Sequence, residues 1–395
     1  MKFKIKSQLL LTNIKKMIKI APVNPINEIY KNIKVEVEDN KISFYSLNEK
    51  TFLKFFLVAK KDNLEIYQSG NFLINLKILY DILNKLNDEW LLFEIKINAL
   101  IISNFDKDNN FVFKLNTLEI KNFPDISFNK DNQPIALANS IVEEVNNQIN
   151  FVINTNNSSN ILRGINFSFS KSNLLTTGTD RVSMAQKTIP IQNELIEQDI
   201  TIPIFLLNDI GKVTSDLNQD YLFYLNNDQS LVIENDNFLF KGRLIDGQYP
   251  KIQNVITQYL ESENKEIIEI NNLKTFLNTI DLAVVLAKKE LVPLVQLIFD
   301  KKNNKIEILC ISNNNSFGEV HEQFNNVTFL NQEKNQEKFT IVFNYNLLTY
   351  ALKTFSKCKK VKLNIVASYN YHTIITSDED LSLSQLVLPI INNYN

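Results

Sequence analysis

In several stretches of this chain, apolar residues alternate with polar ones at every second position. Ile33, Val35 and Val37 follow this pattern, Asp39-Asn40 supplies a turn, and the alternation resumes at Ile42. The same arrangement recurs at residues 303–308 and 361–374. Period-two alternation bounded by Asn or Asp is typical of antiparallel hairpins with one buried face. The chain is therefore predicted to be rich in antiparallel sheet.

Six stretches have apolar residues at helical spacing instead, and they predict helices. They are residues 9–18, 76–86, 137–149, 203–213, 273–286 and 345–355. Three of them resemble one another, because each follows an apolar strand and contains a pair of large aliphatic residues. These pairs are Ile78-Leu79, Leu206-Leu207 and Leu347-Leu348.

A second repeat links Leu118–Ile126 to Arg243–Ile252. Each segment has an apolar run, a polar turn, an aromatic-Pro pair and an isoleucine. Phrases repeated at domain-sized intervals indicate duplicated domains. We therefore predict an α+β fold of three similar domains, residues 1–130, 131–258 and 259–395. Their boundaries lie near 129–134 and 257–265, in polar segments without periodicity.

Composition narrows the class of protein. The net charge of -2 gives no global basic field, so contact with nucleic acid would depend on locally arranged lysines. Two cysteines, Cys310 and Cys358, are too few for a disulfide framework, and their spacing is not that of metal ligands. The apolar stretch that follows the basic N-terminal residues is too short for a secretory signal. No run reaches the ~20 apolar residues of a membrane span. We expect a cytoplasmic protein without a cofactor or metal.

Few residues are suited to catalysis. His321 and His372 have no ligand at metal-binding spacing, so a surface or structural role is expected for both. No phosphate-binding loop, dinucleotide fingerprint or Gly-x-Ser-x-Gly elbow occurs. Acidic clusters at Glu143-Glu144, Asp216/Asp220 and Asp378–Asp380 leave open a β-rich hydrolase with an acidic residue pair, which would need burial. A surface adhesin of β repeats is disfavoured by the missing export signal. Binding without catalysis is the main prediction.

Five phrases follow a recognisable order along the chain. They are Ile161–Phe167, Thr179–Ala185, Arg243–Pro250, Phe343–Leu348 and Gln385–Ile390. The first is similar to "ILxGV" followed by a polar-aromatic strand, the third to "RLLDGxYP" and the last to "QLILPV". Together they resemble the bacterial DNA polymerase III beta subunits, the replicative sliding clamps.

The resemblance implies a fold and a function. In this family each subunit has three similar α+β domains, each with two inner helices and antiparallel sheets that form the outer wall of a ring. Two subunits join head to tail around duplex DNA. Sheets that pair across subunits leave no exposed edge. The ring is a non-catalytic processivity factor, which keeps the polymerase at high effective concentration on DNA.

The resemblance also implies three sets of site residues. Partners, namely the DNA polymerase III catalytic subunit and the clamp loader, would insert short apolar peptide motifs into a cleft formed by Leu162, Thr179, Arg181, Val182, Ser183, Met184, Pro250, Asn254, Val255, Leu386, Leu388, Pro389 and Ile390. The lysines expected to face double-stranded DNA, by sequence-independent phosphate attraction, are Lys15, Lys16, Lys19, Lys77, Lys85, Lys212, Lys274 and Lys353. The homodimer contact would join Phe113 and Leu115 to Val285 and Leu286.

Some positions depart from the family pattern. Where the family has a small residue, His and Arg after Thr-Asp, this chain has Arg181-Val182-Ser183. Asn254 stands in place of a common arginine, and Ile391 follows Ile390 where arginine is frequent. Glu143 and Glu144 weaken the expected DNA lining in the middle domain or turn away from it. The departures at the cleft concern the preference for partner motifs and leave the fold prediction unchanged.

Overall fold

The structure is a computed structural model, and it describes residues 1–22, 24–87, 89–97, 99–104, 111–138, 140–191, 197–214, 220–288, 290–311, 320–331 and 337–391. The α-helices in these residues are α1 (Ser7–Ile20), α2 (Leu76–Leu83), α3 (Ser140–Ile149), α4 (Ile204–Thr214), α5 (Val255–Glu261), α6 (Leu273–Ala283) and α7 (Tyr345–Lys353).

The strands are, in chain order, β1 (Lys2–Lys6), β2 (Asn32–Val37), β3 (Lys41–Leu47), β4 (Thr51–Val58), β5 (Leu64–Gln68), β6 (Gly70–Asn75), β7 (Trp90–Lys96), β8 (Ala99–Asn104), β9 (Val112–Asn116), β10 (Ile135–Leu137), β11 (Gly164–Phe169), β12 (Asn173–Thr179), β13 (Ser183–Pro190), β14 (Gln198–Pro203), β15 (Tyr221–Leu225), β16 (Ser230–Asn235), β17 (Phe238–Arg243), β18 (Lys265–Ile270), β19 (Leu294–Asp300), β20 (Lys305–Ile311), β21 (His321–Phe324), β22 (Val327–Phe329), β23 (Lys338–Asn344), β24 (Val361–Val366), β25 (His372–Ser377) and β26 (Asp380–Val387). The chain divides into two compact units: residues 1–143 with 205–244, and residues 144–204 with 245–395.

The first unit contains two antiparallel sheets. One has the order β10-β15-β16-β17-β4-β3-β2-β6 and the other β5-β1-β7-β8-β9. Helices α1 and α2 pack against each other. Helix α1 buries Leu10, Ile14 and Met17, while Lys15 and Lys19 are exposed. This helix thus has a buried apolar face and an exposed face that carries two lysines.

The second unit repeats the arrangement with a nine-stranded sheet, β14-β11-β12-β13-β26-β25-β24-β18-β22, and a four-stranded sheet, β21-β20-β19-β23. All neighbouring strands in both sheets are antiparallel. Helices α6 and α7 pack together, and their Phe276, Ile280, Leu348 and Leu352 are buried in the core of this unit.

Asparagine side chains cap the N-termini of three helices. The Oδ1 atoms of Asn75, Asn272 and Asn344 accept hydrogen bonds from backbone N–H groups in the first turns of α2, α6 and α7. Such caps satisfy donors that have no partner inside the helix. The abundant asparagine of this sequence therefore has a structural use at these positions.

The predicted α+β class and antiparallel hairpins are confirmed. All six predicted helical stretches contain a helix, and turns at residues 39–40, 303–304 and 369–370 separate paired strands. The sequence pattern missed α5, whose residues 257–261 were expected to lack regular structure. Only Ile256 of this helix is fully buried, so its apolar periodicity is too weak to recognise. No helix in the described ranges is long and apolar enough to cross a membrane.

Candidate functional site

A cleft of about 370 Å³ opens on the second unit, within the ~300–1,000 Å³ typical of ligand sites. Its lining is mainly apolar and comes from segments that are far apart in the sequence. The lining residues are Ser159, Leu162, Thr179, Arg181, Val182, Ser183, Met184, Pro250, Ile252, Val255, Tyr259, His372, Leu386 and Leu388.

The floor of the cleft is a small apolar core between the nine-stranded sheet and α5. Met184 on β13 lies opposite Leu386 on β26, which in turn lies opposite Ile374 on β25. These side chains pack in one cluster with Ile256 of α5. Leu388 follows Leu386 by two residues and is only partly buried, so it extends the apolar surface toward solvent.

One rim is the turn between β12 and β13. The Asp180 carboxylate accepts hydrogen bonds from the N–H groups of Val182 (3.0 Å) and Ser183 (2.6 Å) and from the Ser183 hydroxyl (2.9 Å). The Thr179 hydroxyl donates to the Ser183 carbonyl at 2.7 Å. Arg181, at the centre of this turn, has φ 83°, a conformation that residues other than glycine adopt at a cost.

Another wall of the cleft is formed by the Tyr259 and His372 rings, and the Tyr369 ring packs against Tyr259. The Tyr259 hydroxyl and His372 Nδ1 lie 3.1 Å apart, and the Tyr259 ring lies 4.8 Å from the Tyr369 ring between centroids. Burial lowers the pKa of His372 below the usual 6.5 of an imidazole. Burial, and then the neighbouring Tyr369, raise the pKa of Tyr259. The wall is therefore uncharged at neutral pH.

A strained turn places two of these rings. Asn370 (φ 51°) and Tyr371 (φ 61°), between Tyr369 and His372, are both left-handed. The Tyr371 ring stacks on Phe339, with centroids 6.0 Å apart and an interplanar angle of 10°. This contact offsets the conformational cost and fixes the hairpin that carries the wall.

Gly247 shapes the segment that leads to Pro250. Its φ of 115° is accessible almost only to glycine, although a Cβ there would have room, with the nearest atom 3.9 Å away. The chain bends at Gly247, inside the segment for which the sequence predicted a polar turn, and the requirement for glycine there is conformational.

The structure brings most of the expected cleft residues together. Ten of them line the cleft, whereas Asn254, Pro389 and Ile390 do not. Asn254 is exposed at the start of α5, and the N–H of Ile390 donates to the Val342 carbonyl at 2.8 Å. Four lining residues were missed: Ser159, Ile252, Tyr259 and His372. For His372, the turn at Asn370-Tyr371 just before it was an available signal, because strained turns concentrate at functional sites.

Seven of the eight expected DNA-facing lysines are exposed. Lys16 is the exception: it is 5% exposed and lies on the buried side of α1, so it is unsuited to phosphate contact. Lys77 forms an ion pair with Asp81 at 2.8 Å, and Lys212 with Asp209 at 2.9 Å, which reduces their free positive charge. The exposed cations of α1, Lys15 and Lys19, lie one turn apart.

The four expected subunit-contact residues lie on accessible surfaces. Phe113 and Leu115 are half-buried on β9, which is an edge strand of its sheet. Val285, just after α6, is 55% exposed, and Leu286 is half-buried. An edge strand presents unpaired N–H and C=O groups, with which another strand can pair.

The described members of the acidic clusters do not form a buried pair. Glu144 turns toward Lys187, at 3.4 Å, and Asp378 pairs with Lys362. The N–H groups of Lys359 and Lys360 donate to Glu379 and hold its pKa below the usual value. Asp216 lies outside the described residues. Within the part of the chain that is described, no group of three His, Cys, Asp or Glu residues could hold a metal ion.

Comparisons with known proteins agree over the whole chain. A "Beta sliding clamp" from Mycoplasma capricolum is 26% identical, with 98% of this chain and 99% of that protein covered. The Bacillus subtilis DNA polymerase sliding clamp structure has a TM-score of 0.85 at 23% identity, covering 99% of each chain. The DNA polymerase III subunit beta structure from Pseudomonas aeruginosa has a TM-score of 0.86 at 16% identity, covering 99% of this chain and 100% of that one.

Two family models match consecutive parts of the sequence. The model of the DNA polymerase III beta subunit N-terminal domain matches residues 1–127, and that of the central domain matches residues 136–251. Together they span more than half of the chain. The chain belongs to the DNA polymerase III beta subunit family.

Proposed function

We propose that this protein is a DNA sliding clamp, a processivity factor that encircles duplex DNA and tethers the replicative polymerase. The observation that carries the proposal is the full-length match to proteins named beta sliding clamp. It is a non-catalytic role, performed in the cytoplasm where a bacterial chromosome is replicated.

The proposed ring consists of two copies of the chain joined head to tail, each with three domains, residues 1–130, 131–258 and 259–395. The family models support the first two domains. The apolar edge at Phe113 and Leu115 and the exposed apolar side chain of Val285 support a contact between copies. A head-to-tail contact must close into a ring or continue as a filament.

Exposed lysines on the helices would attract DNA without fixing its register. Lys15 and Lys19 on α1, Lys274 on α6 and Lys353 on α7 are accessible at points expected to line the hole. Loose attraction between lysines and phosphates holds DNA of any base sequence and lets the protein slide along it. Lys16, because it is buried, has no part in this proposal.

The cleft of the second unit would receive partner peptides, including those of the polymerase catalytic subunit and the clamp loader. Its apolar floor at Met184, Leu386 and Leu388 suits aliphatic anchors, and its size suits a few side chains. Each tethered partner would rebind DNA at high effective concentration.

Retention on circular DNA tests the topological part of the proposal. The protein is loaded onto nicked circular DNA with a clamp loader, and the circle is then cut once. A protein that encircles DNA leaves when free ends appear. Equal retention on circular and linear DNA would show that it binds only by surface contacts.

Two variants separate ring closure from partner binding. Phe113→Glu places a charge at the proposed subunit contact and should abolish retention on circles. Leu388→Asp places a charge in the cleft and should leave the two-subunit species intact in sedimentation, while preventing both loading by the clamp loader and stimulation of the polymerase. Lys302→Ala, at an exposed residue that belongs neither to the cleft lining nor to the proposed subunit contact, serves as the control.

A further inference from the structure

The charge of the cleft is concentrated in one residue. Among the described residues that line the cleft, Arg181 alone carries a full charge at neutral pH, because burial keeps His372 neutral. The remaining lining residues are aliphatic, hydroxyl-bearing or aromatic. A lone cation beside an apolar floor sets a definite electrostatic preference for whatever binds there.

The position of Arg181 is costly to the backbone. Its φ of 83° suits glycine, and an arginine there costs on the order of 1 kcal/mol. The turn itself is held by Asp180 and Thr179 and uses no atom of the Arg181 side chain. Among the described residues, Arg181 has one hydrogen bond, from its backbone N–H to the Thr179 hydroxyl at 3.1 Å. The guanidinium therefore contributes to the cleft surface and not to the stability of the turn.

The carboxylate that precedes Arg181 in the sequence forms its hydrogen bonds with other residues. Asp180, the preceding residue, accepts three hydrogen bonds from Val182 and Ser183, so its charge is directed into the turn. No ion pair of Arg181 occurs among the described residues. Arg163 and Lys251 are exposed and basic as well, but they are only sequence neighbours of lining residues and do not line the cleft themselves. Among the described residues, Arg181 is therefore the cation of the cleft surface.

We propose that Arg181 makes the cleft selective for partner segments that carry an acidic side chain beside their apolar anchors. The planar guanidinium would pair with that carboxylate while aliphatic anchors occupy the floor at Met184 and Leu386. This inference rests on the proposed function of the cleft, and it assigns a specificity-determining residue within it.

Ten-residue peptides, acetylated and amidated to remove terminal charges, test the inference. The neutral parent carries two leucines and one phenylalanine in a glutamine and serine background, and glutamate replaces each polar position in turn. Binding to the full-length protein is measured by fluorescence anisotropy. At one position or two adjacent ones, glutamate should tighten Kd by about threefold over glutamine, the size typical of a solvent-accessible ion pair. The gain should shrink in high salt.

Arg181→Gly is the decisive variant, because glycine suits φ 83° and the variant should melt no lower than the wild type. It should lose the preference for glutamate, expressed as the ratio of the Kd values that the neutral and glutamate peptides show on the same variant. Arg181→Lys should keep part of the preference, and Lys251→Ala, the matched control, should keep all of it.

Two outcomes would overturn the inference. One is a glutamate preference that survives in Arg181→Gly, and the other is the absence of any such preference in the wild type. The neutral parent reports separately on the proposed function. If it binds the wild type and fails to bind Leu388→Asp, the cleft is a peptide site whatever the glutamate series shows. If no peptide of the series binds the wild type, the cleft proposal and the selectivity of Arg181 both fail.

Discussion

Replacing Asn344 by alanine should weaken the start of α7. Its side chain accepts hydrogen bonds from the N–H groups of Asn346 at 2.9 Å and Leu347 at 3.3 Å. Alanine leaves both donors without that acceptor, while the packing of Leu348 and Leu352 below them is unchanged. The loss should therefore be confined to the cap.

The expected cost is about 1 kcal/mol, the usual value for loss of an asparagine cap, since one of the two hydrogen bonds is long. A local opening reaction made easier by about 1 kcal/mol is roughly fivefold more populated. Amide exchange in α7 should accelerate by that factor if these amides exchange through local opening.

The chain contains a matched control. Asn254 occupies the same position at the start of α5, but its side chain makes no capping hydrogen bond. Asn254→Ala should change stability by less than about 0.5 kcal/mol, as for an ordinary surface site. Asn344→Ser, which restores a capping oxygen, should recover most of the loss.

Hydrogen–deuterium exchange of peptides from α5 and α7, together with urea unfolding, provides the measurement. Equal effects of Asn344→Ala and Asn254→Ala would show that the two cap geometries are not what distinguishes these helices. Failure of Asn344→Ser to recover stability would show that the amide acts through some other contact.

Three further predictions follow from backbone, titration and edge-strand arguments. Gly247→Ala should lower the free energy of unfolding by about 1–3 kcal/mol through its φ of 115°; an unchanged urea midpoint would refute a conformational requirement for glycine. Because burial lowers the pKa of His372 below 6.5, the unfolded chain binds its proton more readily, so stability is fully present above pH 6.5 and falls as the pH drops toward the folded pKa. His372→Gln should flatten this dependence in thermal melts at pH 5 to 8, and identical slopes would contradict the assignment. Phe113→Glu should shift the sedimenting species to the single chain, whereas an unchanged sedimentation coefficient would exclude β9 as the subunit contact.

The sequence predicted those elements whose pattern is local. Period-two alternation located the hairpins, and helical spacing located six helices. The prediction that Lys16 faces DNA is wrong, because the charge of a lysine does not show which side of the helix it occupies. On α1 the exposed residues are Gln8, Thr12, Lys15 and Lys19, and Lys16 falls between the buried residues of the next face.

The cleft was predicted in part because a resemblance located its segments. The wall formed by Tyr259 and His372 could not be found in that way. Tyr259 lies on a helix with one fully buried residue, and His372 follows a turn whose left-handed residues are Asn370 and Tyr371. Both depend on contacts between distant segments, such as the stacking of Tyr371 on Phe339, and these leave no periodic signal in the sequence.

The pairing of β13 with β26 has a consequence for the growing chain. Lys187 on β13 donates a hydrogen bond to Ser382 on β26, which lies 195 residues further along the sequence. Until β26 has been synthesised, β13 has β12 as its only sheet neighbour, and the Met184 side of the floor lacks Leu386. A partly made chain therefore exposes an unpaired strand edge and has no finished cleft. Recruitment of a partner would thereby be reserved for molecules whose nine-stranded sheet is complete.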